Sequence, residues 1–272
     1  MIPLRALKWF ATREVATGAN PGFDEWDLGC VRQPHSNRVA CREGKFAIYG
    51  KLKLILVTSV LWGPWLEFTP TAASAAQLAG QVVTVQAATP RSQVAVLRMW
   101  QLESDGQYKQ VSGPFIAFVG VHGVGATREG RQRTPDGVFT LTQAFGNKPN
   151  NGTALPYFRA GPNDWWDEDS NSAHYNRLVI SRYSPGGNSE NLYYSGYVYA
   201  HAVVINYNTN PVVKGAGSGF FLHVSDGLPT QGCVSIAANQ LNAVMRWLKP
   251  SMDPVISIGV GTQALAPVHH PQ

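Results

Sequence analysis

The sequence predicts a mainly β domain with one long loop and a single helix near its C-terminal end. Short runs rich in Val, Ile, Phe and Thr recur between residues 81 and 258, bounded by turn formers. Residues 145–192 are instead rich in Asn, Gly, Pro, Trp and Tyr, and only residues 241–248 show helical spacing of apolar side chains. Composition agrees: 44% of the 272 residues are hydrophobic, enough for a proper core. Only 14% are charged, against about 25% in an average soluble domain. That argues against a coiled coil or a charge-rich disordered chain. Three cysteines are too few for a disulfide-stapled scaffold.

Gln81–Gln86 and Gln93–Trp100 read as strands because they are dense in β-branched and apolar residues between Gly and Thr-Pro breaks. Ser104-Asp105-Gly106 is a turn leading to the run Tyr108–Val111, and Pro114–Val119 reads as a further strand. Gly120, Gly123, Gly125 and Gly130 space the next loop without a phosphate-binding fingerprint, since no helical pattern follows. Thr134-Pro135-Asp136-Gly137 is a turn: proline presets φ and glycine accepts a positive one. It opens the strand Val138–Leu141. The segment 145–192 reads as a lid or binding surface, the usual use of so long a loop. Val198–Tyr207 and Gly219–Val224 read as strands. Leu241, Val244, Met245 and Leu248 fall on one helical face, stopped by Pro250. Val255–Ile258 closes the domain.

Residues 1–75 read as an N-terminal extension plus an export signal, and residues 76–272 as one domain. Lys45, Lys51 and Lys53 precede the apolar run Leu54–Trp62, and Ala73-Ser74-Ala75 supplies a cleavage site: the three parts of a secretory signal. The apolar run falls short of the ~20 residues that span a bilayer, so no membrane span is expected after cleavage. The expected location is the extracytoplasmic envelope. Met1 lies far upstream of this signal, and the next Met is Met99. Residues 1–44 are therefore read as foreign to the natural product, with a start at the codon of Val39 one possibility.

The net charge of +5 is unevenly spread. Residues 1–75 hold nine basic and six acidic side chains (+3), leaving 13 and 11 (+2) for the rest. No basic stripe is present; Arg128, Arg131 and Arg133 surround Glu129 and run into a turn. No nucleic-acid partner is expected.

The chemistry gathers in residues 223–236. Cys233 is the only cysteine beyond the export signal, and a lone thiol in an exported chain points to reactivity. The bland alternative is a small buried filler. His223 ends a strand, and a loop through Gly227 and Pro229 returns the chain to Gly232-Cys233. A His–Cys pair would lower the thiol pKa and yield a thiolate nucleophile. The backbone N–H groups of Gly232 and Cys233 would form an oxyanion hole.

These residues carry a resemblance. Phe221-Leu222-His223, followed by Thr230-Gln231-Gly232-Cys233-Val234, resembles the active-site signature of the L,D-transpeptidase catalytic-domain family. Thr134-Pro135-Asp136-Gly137-Val138-Phe139 resembles that family's Thr-Pro-x-Gly-x-Phe stretch. Residues 80–260 look like an actinobacterial-type branch, with Tyr175-Asn176, Ser189-Glu190-Asn191-Leu192 and Trp247-Leu248-Lys249-Pro250 as further shared features. The resemblance implies a β-sandwich-like fold with the site in a cleft under a lid, and no cofactor or metal. It implies peptidoglycan stem peptides as partners. Cys233 would attack the third-residue carbonyl and expel the terminal D-Ala, with His223 as base and the Gly232 and Cys233 amides on the oxyanion. An amine of a second stem would resolve the acyl-enzyme as a 3→3 cross-link. Thr230, Gln231 and Ser235 would meet the substrate.

This chain departs from the common pattern in several places. Gln231 stands where many members have His, Ser235 where many have Arg or Asn, and the His-to-Cys spacing is shorter. Val224 follows the histidine where some members have Ser, so a backbone carbonyl must orient the imidazole. Two rivals stay open: a peptidase or amidase with water as acceptor, and a wall-binding domain with an inert cysteine.

Other groups invite plainer readings. His201 reads as a core histidine and His269-His270 as a disordered tail. Trp165-Trp166 suit either sugar stacking or loop packing. Glu190 could meet an amine, but a solvated loop carboxylate is its default. A zinc site from His174, His201 and His223 lacks ligand-like spacing.

Overall fold

A computed structural model describes residues 30–32, 39–41 and 78–269. The chain divides into two compact units, Met1–Phe68 and Thr69–Gln272. In the first, strands β1 (Cys30–Arg32) and β2 (Val39–Cys41) pair antiparallel, with Cys30 opposite Cys41 in register. The export signal read at residues 45–75, and the rest of residues 1–44, lie outside the described residues.

The second unit is mainly β. Its strands are β3 (Gln81–Ala87), β4 (Val94–Leu102), β5 (Tyr108–Phe118), β6 (Gly137–Thr140), β7 (Ala144–Gly146) and β8 (Tyr157–Arg159). They continue with β9 (Asp164–Asp167), β10 (Arg177–Ile180), β11 (Glu190–Asn191), β12 (Ala202–Val204), β13 (Phe221–Val224), β14 (Val234–Ile236) and β15 (Val255–Val260). Helices α1 (Ala238–Trp247) and α2 (Ala266–His269) flank β15. Ten strands form one sheet in the order β6-β15-β3-β4-β5-β14-β13-β12-β7-β8, and β10-β9-β11 form a separate small sheet.

Two-residue periodicity places the site. Along β12 and β13, Val203, Leu222 and Val224 enter one apolar core, shared with Leu241, Val244 and Met245 of α1. Their neighbours Ala202, Val204 and Phe221 enter a second core on the opposite face. Cys233, Trp166 and Leu192 belong to that second core. The small sheet therefore supplies a second layer over one face of the large sheet, and His223 points to the same face as Phe221.

Several elements differ from the sequence expectation. The runs at 108–111 and 114–119 are one strand, β5, with an irregular register opposite Leu97–Trp100. Gly113 makes this possible at φ +88, where a Cβ would lie 2.7 Å from the Leu97 carbonyl oxygen. The segment 145–192 is not one loop: it holds β8 to β11 and most of β7. Those strands are two to four residues long, too brief for the usual strand pattern to show. The run 198–207 is split between a 3-10 turn at Gly196–Tyr199 and β12. His269 belongs to α2, and its ring packs edge-on against Trp100. Among the described residues no helix is long and apolar enough to cross a membrane.

Candidate active site

A cavity of about 600 Å³ opens on the small-sheet side, lined among others by His223, Cys233, Tyr199, Glu190, Glu168 and Glu129. A larger one, about 750 Å³, lies beside β6 and β15 and holds no cysteine or histidine. The chemistry therefore belongs to the smaller cavity.

The loop bearing Cys233 is held by threonines. Thr230 Oγ1 donates to the Cys233 carbonyl at 2.6 Å and accepts from the Gly232 N–H at 3.1 Å. Thr134 Oγ1 donates to the same carbonyl at 3.3 Å and accepts from the Gly120 N–H at 2.8 Å. The backbone of Thr230 is bridged to Val119 and Val121. Gly232 sits at φ +143, and a Cβ there would meet the Phe220 ring at 2.7 Å, so only glycine fits.

These contacts bear on two expectations. Thr230 lines the cavity, but it is buried and its hydroxyl bonds within the loop, where it holds the backbone of Cys233. The Gly232 N–H already has a partner in Thr230, so it is not a free oxyanion donor. The Cys233 N–H has no protein acceptor among the described residues and remains available. Ser235 is also corrected. It stands in β14 between β5 and β13, 1% exposed, with an unpartnered Oγ, and does not line the cavity. Gln231 does lie at the cavity rim, hydrogen-bonded to the Gln132 side chain.

His223 is buried, and its Nδ1 faces the Val224 carbonyl at 2.9 Å. Nδ1 must carry the proton in that contact, leaving Nε2 with a lone pair. The required backbone carbonyl is thus supplied by the adjacent residue. Burial lowers the imidazole's pKa, partly opposed by the Val224 carbonyl and by Asp226.

Cys233 Sγ accepts from the Phe221 N–H and donates to the Gly219 carbonyl, each at 3.3 Å. No hydrogen bond joins it to His223 among the described residues. Burial pushes the thiol's pKa well up and Glu190 adds to this; the Phe221 N–H opposes it, and Glu168 (raising) and Tyr199 (lowering) act more weakly. Burial and the two nearby carboxyl groups thus disfavour a thiolate at Cys233.

The wall facing Cys233 was not anticipated. Tyr199, 3% exposed, donates to Glu190 Oε2 at 2.7 Å, and its ring meets His223 edge-on at 5.4 Å. Glu190 also accepts from Ser195 at 3.4 Å, and burial raises its pKa. It is not the solvated loop carboxylate expected. Glu168 is pushed up to about 8 by burial, then by Glu190, Glu129 and Asp167. Its carboxylate lies over Gly219, where a Cβ would stand 1.8 Å from Oε1. Glu129 accepts from Tyr175 and Ser218. Only Glu190 carried any signal in the sequence, through its Ser-Glu-Asn-Leu stretch; Tyr199 carried none.

The aromatic and histidine residues outside this wall have structural work. Trp166 packs against Phe221 and donates to Asn176 Oδ1, while Trp165 donates to the Ser181 carbonyl. His201 pairs with the Pro149 carbonyl at 2.8 Å. Among the described residues no three His, Cys, Asp or Glu side chains converge to hold a metal.

A buried Cys and a buried His line one cavity beside the large β sheet. The family model for the YkuD L,D-transpeptidase catalytic domain matches residues 90–256, and the chain belongs to that family. No curated protein and no solved structure gives a match. The domain is thus an L,D-transpeptidase catalytic domain, of a transferase family that acts on peptidoglycan peptides.

Proposed function

We propose that this protein is an exported, cysteine-dependent L,D-transpeptidase that forms 3→3 cross-links between peptidoglycan stem peptides. The observation that carries this reading is the placement of Cys233 and His223 on one cavity wall, with the Cys233 N–H left free. Cys233 Sγ attacks the carbonyl of the third stem residue and the terminal D-Ala leaves, giving a thioester. The Cys233 N–H stabilises the oxyanion of the tetrahedral intermediate. The side-chain amine of a second stem then attacks, and His223 Nε2 serves as base. The carboxyl groups of Glu129, Glu168 and Glu190 line the same cavity and favour an amine acceptor.

The test is product analysis with the purified protein and stem tetrapeptide. Cross-linked dimers and a carbapenem adduct on Cys233 are expected, both lost in Cys233→Ala. Trimmed stems without dimers would make the protein a peptidase. Neither product nor adduct would make it a wall-binding domain.

A further inference from the structure

Another cavity, of about 610 Å³, is lined by Arg91, His122, Arg131 and Arg133, with Pro90 and Val121, and by no carboxylate. The Arg133 guanidinium is fixed: Nη2 donates to the Val124 carbonyl at 2.6 Å and to the Pro90 carbonyl at 3.2 Å. Gly125 makes room for it, since a Cβ there would lie 2.7 Å from Nη2. Arg133 Nε is buried without a partner. The side chains of Arg91, His122 and Arg131 make no hydrogen bond or ion pair among the described residues. Three guanidinium charges thus meet in one cavity with no anion to offset them. A half-buried charge without a counter-ion is a cost that a bound anion relieves.

This cavity and the catalytic one share a wall. Arg131 and Arg133 line the first, while Gln132 between them lines the second and bonds to the Gln231 side chain. On that wall the Arg133 carbonyl oxygen would lie 3.4 Å from a Cβ at Gly232, the neighbour of Cys233. The Val121 N–H donates to the Thr230 carbonyl at 2.9 Å, and the His122 N–H to the Gln132 carbonyl at 3.2 Å. The floor of the arginine cavity and the Cys233 loop are therefore one hydrogen-bonded piece. The two sides carry opposite charge. Glu129, Glu168, Glu190 and Asp226 line the catalytic cavity, against Arg128 and His223. A peptide substrate carries carboxylates as well as amines. Its carboxylates are repelled by the acidic side and meet three guanidinium groups across the wall.

We propose that the arginine cavity is a carboxylate subsite for the peptidoglycan peptide held at Cys233. Arg91 and Arg131 contact the carboxylate, and Arg133 supplies the fixed charge beneath them. The planar guanidinium fork matches a carboxylate with two parallel hydrogen bonds. This inference rests on the transpeptidase reading and names what selects the peptide within it. A phosphate would suit the same forks, but the wall shared with the Cys233 loop favours a carboxylate of the substrate itself.

The experiment is calorimetric binding to the full chain carrying Cys233→Ala, which cannot turn the peptide over. The probes are stem tetrapeptide, the same peptide with every carboxyl as a carboxamide, and glycerol phosphate. The acid peptide is expected to bind about 10-fold more tightly than the carboxamide, the scale of one charge-assisted hydrogen bond. Adding Arg91→Gln and Arg131→Gln is expected to erase that preference and to leave the affinity for the carboxamide unchanged. Higher salt is expected to shrink the preference while both arginines are present. Equal affinities for the two peptides, or a preference that survives both arginine changes, would overturn the proposal. Binding of glycerol phosphate through these arginines, with no preference for the acid peptide, would overturn it too and make the cavity a phosphodiester site. Thermal unfolding checks each variant. Both arginines are exposed, and either single change gives the answer if the double variant does not fold. Failure of the transpeptidase reading looks different: wild type would release no D-Ala from the tetrapeptide, whatever the arginine variants bind.

Discussion

Thr230→Val separates a loop staple from a substrate contact. The Thr230 hydroxyl is buried between the Cys233 carbonyl at 2.6 Å and the Gly232 N–H at 3.1 Å. Valine has the same shape, so no cavity forms and only the hydrogen bonds are lost. The buried Gly232 N–H is left without an acceptor, which costs about 1–3 kcal/mol. The Cys233 carbonyl keeps its longer contact to Thr134 at 3.3 Å, so its share of the loss is about 0.5–1.5 kcal/mol. The total of about 1.5–4.5 kcal/mol corresponds to a fall in Tm of about 3–18 °C for a domain of this size. Thermal unfolding by circular dichroism measures it, and Thr230→Ser should recover most of the loss. A Tm within about 2 °C of wild type, with a raised KM for the stem peptide, would refute the staple and return Thr230 to the substrate-binding role read from sequence.

Gly219→Ala forces a Cβ to within 1.8 Å of Glu168 Oε1 at a residue with φ +66. The left-handed backbone alone costs about 1–2 kcal/mol for a side chain, so a lower Tm is expected; unchanged stability would show that Glu168 is not held over that glycine. Glu168 titrates near 8 when folded and near its ordinary carboxyl range when unfolded. Between those values the folded state binds more protons, so stability falls as pH rises from about 5 to 8, by up to about 1.4 kcal/mol per pH unit. Glu168→Gln should remove that slope from denaturant-melt profiles, and identical pH slopes in the two proteins would contradict it.

The core strands were legible because their patterns are local. β3, β4, β13 and β15 are runs of four or more residues dense in Val, Ile, Leu and Phe, and α1 shows its buried face through Leu241, Val244 and Met245. The small sheet was not legible. β9 and β11 are four and two residues long, and their pairing joins residues more than 20 apart, Trp166 with Glu190. Cys233 and His223 stood out through residue type and a local motif. Tyr199 did not, because a tyrosine in an apolar run looks like core until a carboxylate is folded against it.

Sequence alone determined the chemical inventory: one cysteine and one histidine of the catalytic-domain signature, a glycine beside the sulfur, and enough apolar strands for a layered β domain. Tertiary structure decided what those groups are able to do. It buried the thiol where its pKa is raised, tied the Gly232 amide to Thr230, turned the imidazole toward its own backbone, and set Glu190 and Tyr199 in the same cavity as Cys233. The physical reason is that proton affinity and hydrogen-bond availability depend on burial and on neighbours brought from distant parts of the chain. Cys233 draws its surroundings from β9, β11, the Gly196–Tyr199 turn and β13, and no window of sequence holds them together.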